Sequence, residues 1–216
     1  MKKNNLFLFD EKLRADGSFL VGTDEAGRGP GAGDVVAAAV YFENPDKALM
    51  KELEKLDDSK KLSDKVKDEL FDVIVENAIY EVVFGSVEEI KKTNILKTSL
   101  NCMKKACLSV ISRLEGKNAK VIVDGNKLIP DFPYPQQYLV KGDGKSASIA
   151  AASVLAKVSR DRYMLKLDKE FPQYFWAKNK GYLTAEHLSA IDEFGVTKYH
   201  RQKFLEKHFA KQLTLF

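Results

Sequence analysis

The chain has 216 residues, 44% of them hydrophobic, and its 35 Lys and Arg against 31 Asp and Glu leave a formal charge of +4. A chain of this length and apolar content can bury a proper core, which excludes disorder as the default and predicts one globular domain with a small appendage. The mild positive charge is compatible with a polyanion partner without demanding one. Cys102 and Cys107 lie five apart and cannot make a disulfide framework, so free core thiols in a reducing compartment are expected. The apolar run Leu6–Phe9 stops at Asp10, far short of a signal core or membrane span, so a cytoplasmic protein with no membrane partner is expected.

In chain order, Ser18 to Gly22 and Val35 to Phe42 read as paired strands, and Ile79 to Gly85, Lys120 to Val123 and Gln137 to Val140 supply further short strands. Asp64 to Asn77 places Val66, Leu70, Val73 and Ile74 on one helix face, and Ile95 to Leu114 repeats apolar residues at helical spacing. Ser86 with Glu89 forms a capping box signature, and Gly116 stands where a helix-ending glycine belongs. After Gly144 a long helix follows, whose Ala147, Ala150, Ala151, Val154 and Val158 form a small-residue stripe suited to lying close on a sheet. Strands first, then helices interleaved with single strands, predict an α/β fold with a mixed sheet flanked by helices. Composition shifts near Phe171 and Pro172, where aromatic and basic helical segments take over. Basic residues dominate from Lys198 to Lys211, Arg201 and Lys203 among them, and read equally as a solvated face or a phosphate-binding one.

The stretch VGTDEAGRGPGAGD, residues 21 to 34, sets an acidic pair against a glycine-rich loop. Gly27, Gly29 and Ala32 fit a dinucleotide-loop spacing, but that loop should open a helix, and the β-branched run after it reads as a strand. Asp24 and Glu25 would also repel a phosphate directly, whereas a hard divalent cation bridges carboxylates to phosphates. Asp124 ends VIVDG and Asp143 stands between two glycines in KGDG, so three acidic clusters follow apolar strands and can converge if those strands are neighbours. Adjacent strand side chains point to opposite faces, so Asp24 and Glu25 share one site only if the strand ends or twists there. Carboxylates without cysteine or useful histidine spacing describe an oxygen site for Mg²⁺ or Mn²⁺; His187, His200 and His208 read as structural or surface residues. Two such ions roughly 4 Å apart suit phosphodiester hydrolysis. The alternative is a non-catalytic nucleic-acid binding module, in which the acids only shape turns.

The segments GTDEAGRGP, DDSKKLS, VDGN, KGDGKSASIAAASVLAKVSRDR and GYLTAEHLSAIDEFGVTKYHRQKF resemble the bacterial ribonuclease HII family from about Phe19 to Phe204. The resemblance implies an RNase H-like mixed sheet flanked by helices, residues 1–172, with a helical C-terminal extension, residues 173–216, that binds substrate. It implies a monomeric endoribonuclease acting on RNA–DNA hybrids and on single ribonucleotides in duplex DNA by two-metal-ion catalysis, leaving 3′-hydroxyl and 5′-phosphate ends. The metal-binding and catalytic acids map to Asp24, Glu25, Asp124 and Asp143. Gly27, Arg28 and Gly29 map to the motif that meets the ribose 2′-hydroxyl, and Tyr182 to the junction-sensing tyrosine. Asp161 is read as structural, paired with a nearby arginine. Gly31 and Asp34 stand where many members have Leu and Pro, and Asp34 is expected to add negative charge near the site; Lys203 replaces a hydroxyl residue. The terminal QLTLF resembles a sliding-clamp peptide, with Gln212 fixing register and Leu213, Leu215 and Phe216 filling an apolar cleft.

Overall fold

The computed structural model describes residues 5–56, 62–114 and 118–213. The chain opens with helix α1, Asn5–Leu13, then crosses the sheet as strands β1, Phe19–Ala26, and β2, Val35–Tyr41. Helices α2, Lys47–Glu52, and α3, Asp64–Asn77, lead to strand β3, Ile79–Gly85. Helices α4, Val87–Lys92, and α5, Ile95–Arg113, precede strands β4, Ala119–Asp124, and β5, Gln136–Leu139. The long α6, Ala147–Glu170, is followed by α7, Trp176–Asn179, α8, Ala185–Phe194, and α9, Gln202–Leu213. The capping box of Ser86 and Glu89 starts α4 as its sequence predicts. Gly116 and the segment Asp57–Lys61 lie outside the described residues.

The strands form one mixed sheet in the order β3-β2-β1-β4-β5, with β1, β2 and β3 antiparallel and β4 and β5 parallel to β1. Strand β2 is buried on both faces, because α6 covers one and α5 the other. Ala38 and Val40 pack on the α6 side with Leu70 and Ile74 of α3, whereas Ala37, Ala39 and Tyr41 face Cys102, Met103 and Cys107 of α5. Both thiols are buried, and burial pushes them up, Cys102 to about 11 and Cys107 to about 12, so they are inert core groups.

The alanine stripe of α6 is fully buried, and its purpose is steric. A Cβ on Gly22 would stand 2.4 Å from the Ser148 backbone carbon, so β1 and α6 touch backbone to backbone. Helix α1 secures this contact from outside: Asp10 accepts hydrogen bonds from the Ser148 amide and hydroxyl, both 2.8 Å, at the first turn of α6. A carboxylate there also meets the positive end of the helix dipole. Beyond α6, the C-terminal helices enclose their own apolar cluster of Tyr174, Trp176, Ile191 and Leu205. That cluster also takes in Ala32 of the glycine loop and Met164 of α6.

Candidate active site

The last parallel pair between β1 and β4 is Thr23 with Val123. One residue further on, Asp24 and Asp124 therefore emerge side by side at the C-terminal ends of neighbouring strands. β1 runs on through Glu25 to Ala26, beyond the expected end at Gly22. Gly27 then turns the chain with φ 95°, a conformation open to glycine. A cavity of about 270 Å³ opens here, with Asp24, Glu25 and Asp124 on one wall, Gly27, Arg28 and Gly29 on the second and Tyr182 on the third. Asp143 is not part of that lining. It is buried on the short turn Gly142–Gly144, beside the Gly142 amide that donates to Asp124 Oδ1 at 2.7 Å.

These carboxylates disfavour one another. Burial first, then the charges of Glu25 and Asp124, hold the Asp24 carboxyl well above the usual carboxylate range, and a Ser153 hydrogen bond offsets only part of this. Burial also raises Glu25, against the pull of the Arg28 guanidinium 3.2 Å away. As the side chains stand, no group of three or more His, Cys, Asp or Glu among the described residues closes around a metal position. The donor chemistry nonetheless fits a hard divalent cation: the charged oxygens of the site are carboxylates that oppose one another's charge, and no thiol or imidazole is in the lining.

The fourth wall was not evident in the sequence. Ser153, Lys157 and Arg160 of α6 line the same cavity. Their spacing of four and three residues puts them on one helix face, and that spacing inside the alanine stripe was the available signal. Asp161 pairs with Lys157 at 2.6 Å, and not with an arginine as its sequence context suggested, since the lysine one turn earlier is the nearer cation. Asp34 does not add charge to the cavity. Its carboxylate accepts the Val87 amide at the start of α4, 3.1 Å, and it lies outside the lining. Gly31 is explained by space, because a Cβ there would meet Leu183 at 2.5 Å. No helix follows Ala32, which removes the dinucleotide reading.

Tyr182 is 53% exposed, yet its backbone is firmly held. A Cβ on Gly29 would lie 3.4 Å from the Tyr182 ring, so the ring stands against the glycine loop. Behind it, the Thr197 amide donates to His200 Nδ1, 2.9 Å, which leaves the His200 proton on Nε2 facing His187 Nε2 at 3.1 Å. Trp176 Nε1 also donates to His187 Nε2, 3.1 Å, so His187 carries its proton on Nδ1 and donates to the Tyr182 carbonyl at 2.9 Å. Burial keeps both rings neutral, with His200 lowered to about 4. The histidines are thus structural, as the sequence implied; His208 pairs with Asp192 on the outer side. Helix α9 carries Gln212 and Leu213 in its last turn, while Thr214–Phe216 lie outside the described residues.

A family model described as ribonuclease HII matches residues 21–212. A ribonuclease HII of Pelagibacter ubique is 49% identical over 187 residues, covering 86% of this chain and 95% of that protein. One from Fusobacterium nucleatum is 43% identical over 205 residues, covering 94% and 92%. Among solved structures, the PCNA:RNase HII complex from Archaeoglobus fulgidus matches with a TM-score of 0.70 at 26% identity, covering 86% of this chain and 94% of that one. The fold is shared as well with Bst-RNase HIII in complex with Mn²⁺, TM-score 0.68 at 18% identity, covering 87% and 64%. With the family model spanning most of the chain and relatives this similar over nearly their whole length, the chain belongs to the ribonuclease HII family and is a type 2 ribonuclease H, a hydrolase.

Proposed function

We propose that the chain cleaves the phosphodiester on the 5′ side of a ribonucleotide, in RNA–DNA hybrids and at single ribonucleotides embedded in duplex DNA, leaving 3′-hydroxyl and 5′-phosphate ends. The observation that carries this reading is one cavity with carboxylates on one wall and an exposed tyrosine standing against bare glycine backbone on another. Recognition of the 2′-hydroxyl is how a protein tells RNA from DNA. The backbone of Gly27, Arg28 and Gly29 would approach that hydroxyl where a side chain would collide. Tyr182 would donate a hydrogen bond to it and stack on the following deoxyribose. Lys157, whose side chain is partly exposed in the cavity, supplies positive charge opposite the acids, where a backbone phosphate would sit. Asp24, Glu25, Asp124 and Asp143 would hold Mg²⁺ or Mn²⁺, with Asp143 reaching the cavity from the turn beside Asp124. When bound, such ions orient a water and offset charge developing at phosphorus and on the leaving oxygen.

The segment 1–172 would serve as the catalytic domain of a cytoplasmic monomer and 173–216 as the substrate-binding extension, since Tyr182 comes from the latter. The terminal Gln212, Leu213, Leu215 and Phe216 would dock on a sliding clamp. The Archaeoglobus fulgidus relative in complex with PCNA supports a clamp partner of some kind.

A duplex with one embedded ribonucleotide should be nicked on its 5′ side only when Mg²⁺ or Mn²⁺ is present; equal cutting of an all-DNA duplex would sink the reading. Tyr182→Ala should reduce cleavage at single ribonucleotides about 10- to 100-fold and more than cleavage of long hybrids. Removing Gln212–Phe216 should abolish clamp capture in a pull-down while a short duplex is still nicked. Joint loss of melting temperature and activity would instead make those residues part of the core.

A further inference from the structure

The glycine loop cannot hold its own shape, because it has almost no side chains to pack. Two buried guanidinium groups hold it by its carbonyls. Arg160 of α6 donates from Nε to Asp34 O at 3.0 Å, from Nη2 to Ala32 O at 3.0 Å and from Nη1 to Lys180 O at 2.9 Å. Arg201, just before α9, donates from Nε to Gly33 O and from Nη1 to Pro30 O, both 2.8 Å. Each arginine is 2% exposed, and among the described residues neither makes an ion pair with a carboxylate. Buried cations without a bound anion are unfavourable, and an apolar side chain of the same volume would fill the space at less expense. What an apolar side chain cannot do is tie separate pieces of backbone together.

Arg160 is the one that spans two pieces. Two of its bonds go to the loop, and the third goes to Lys180, two residues before Tyr182. The guanidinium also lies directly under Gly27, where an added Cβ would stand 2.1 Å from its Nε. The Gly31 and Ala32 amides donate to Gly181 O at 2.9 and 3.2 Å, closing the same joint from the other side. We infer that Arg160 is a positioning residue for ribonucleotide recognition, locking the Gly27–Gly29 backbone and the Tyr182 turn into one rigid unit. The tyrosine and the glycine backbone then meet the sugar at a fixed separation. Lysine cannot substitute, because a point ammonium lacks the planar fork that serves three carbonyls at once. The inference rests on the reading of Gly27, Arg28, Gly29 and Tyr182 as the recognition elements.

The test is the ratio of kcat/KM on a duplex with one embedded ribonucleotide to kcat/KM on a long RNA–DNA hybrid, measured for wild type, Arg160→Lys, Arg160→Met and Tyr182→Ala, with melting temperatures for each. In Arg160→Lys the ratio should fall about tenfold or more. Both rates falling by one common factor would make Arg160 merely structural and overturn the inference. Should Arg160→Lys fail to fold, Arg160→Met decides, because it fills the same space without the fork: a severalfold fall in ratio supports the inference, and an unchanged ratio overturns it. Wild type that leaves the embedded ribonucleotide uncut, or Tyr182→Ala with an unchanged ratio, removes the underlying recognition reading. A shifted ratio in Tyr182→Ala alone removes only the role of Arg160.

Discussion

Asp24 shows how the proposed hydrolytic centre works against the stability of the chain that builds it. It is 6% exposed, and its charge is opposed first by burial and then by Glu25 and Asp124. Asp24→Asn removes one of three like charges from a crowded, buried cluster, so it should raise the melting temperature of the metal-free protein by roughly 2–4 °C, about 1 kcal/mol for a chain of this size. The same change should abolish nicking, and Mg²⁺ should then raise the wild-type melting temperature more than that of the variant. A fall in melting temperature would show that Asp24 has a structural partner that outweighs the repulsion. Of the four acids that the sequence grouped, Asp24, Glu25 and Asp124 line one cavity, because β1 and β4, whose ends they stand at, are neighbours, whereas Asp143 lies on the turn behind them. Arg160 and Arg201 were not legible in the sequence. Arg201 sits in a run of basic residues that reads as a solvated or phosphate-binding face, and only the folded chain separates this buried guanidinium from its exposed neighbour Lys203. Burial of a cation leaves no pattern in composition, because its partners are backbone carbonyls that every residue has.

At the scale of elements, the distance between β1 and α6 sets the site, since β1 carries Asp24 and Glu25 while α6 carries Ser153, Lys157 and Arg160. Gly22→Ala would put its Cβ 2.4 Å from Ser148 C and 2.5 Å from Ile149 N, both backbone atoms that cannot rotate away. The helix must shift, so a loss on the order of 3 kcal/mol in urea unfolding is expected, with activity falling further than the folded fraction accounts for. Strand β3, which spans the predicted Ile79–Gly85, was legible as a short β-branched run, and α3, which spans the predicted Asp64–Asn77, from apolar residues at three- and four-residue spacing on one face. Helix α1 escaped such reading because Leu6, Phe7, Leu8 and Phe9 are consecutive and show neither period. Its Phe7 packs on Phe42 with ring centres 5.4 Å apart, and its Asp10 caps α6, so its reasons for being helical are tertiary.

The molecule as a whole should be sensitive to acid through its C-terminal cluster. His187 and His200 are both lowered by burial, His200 to about 4 from 6.5. An unfolded chain takes up protons at these rings as pH falls through about 6.5 while the folded chain does not, so their contribution is intact above that pH and is lost progressively towards pH 4. Unfolding free energy should decline across that window by an amount on the order of 2 kcal/mol, read as a falling melting temperature, and His200→Gln should flatten the decline. An equal slope in the variant would place the acid sensitivity elsewhere. The contact between Asp10 and Ser148 has a further consequence, for biosynthesis. A ribosome adding about 5–20 residues per second makes Asp10 several seconds to half a minute before Ser148. Through that interval helix α1 has no α6 to dock on, and β1 lacks its neighbour β4, which begins at Ala119. The nascent chain therefore emerges with the apolar segments of α1 and β1 uncovered, and the cavity between Asp24 and Tyr182 closes only after α6 and the Tyr182 turn have been made.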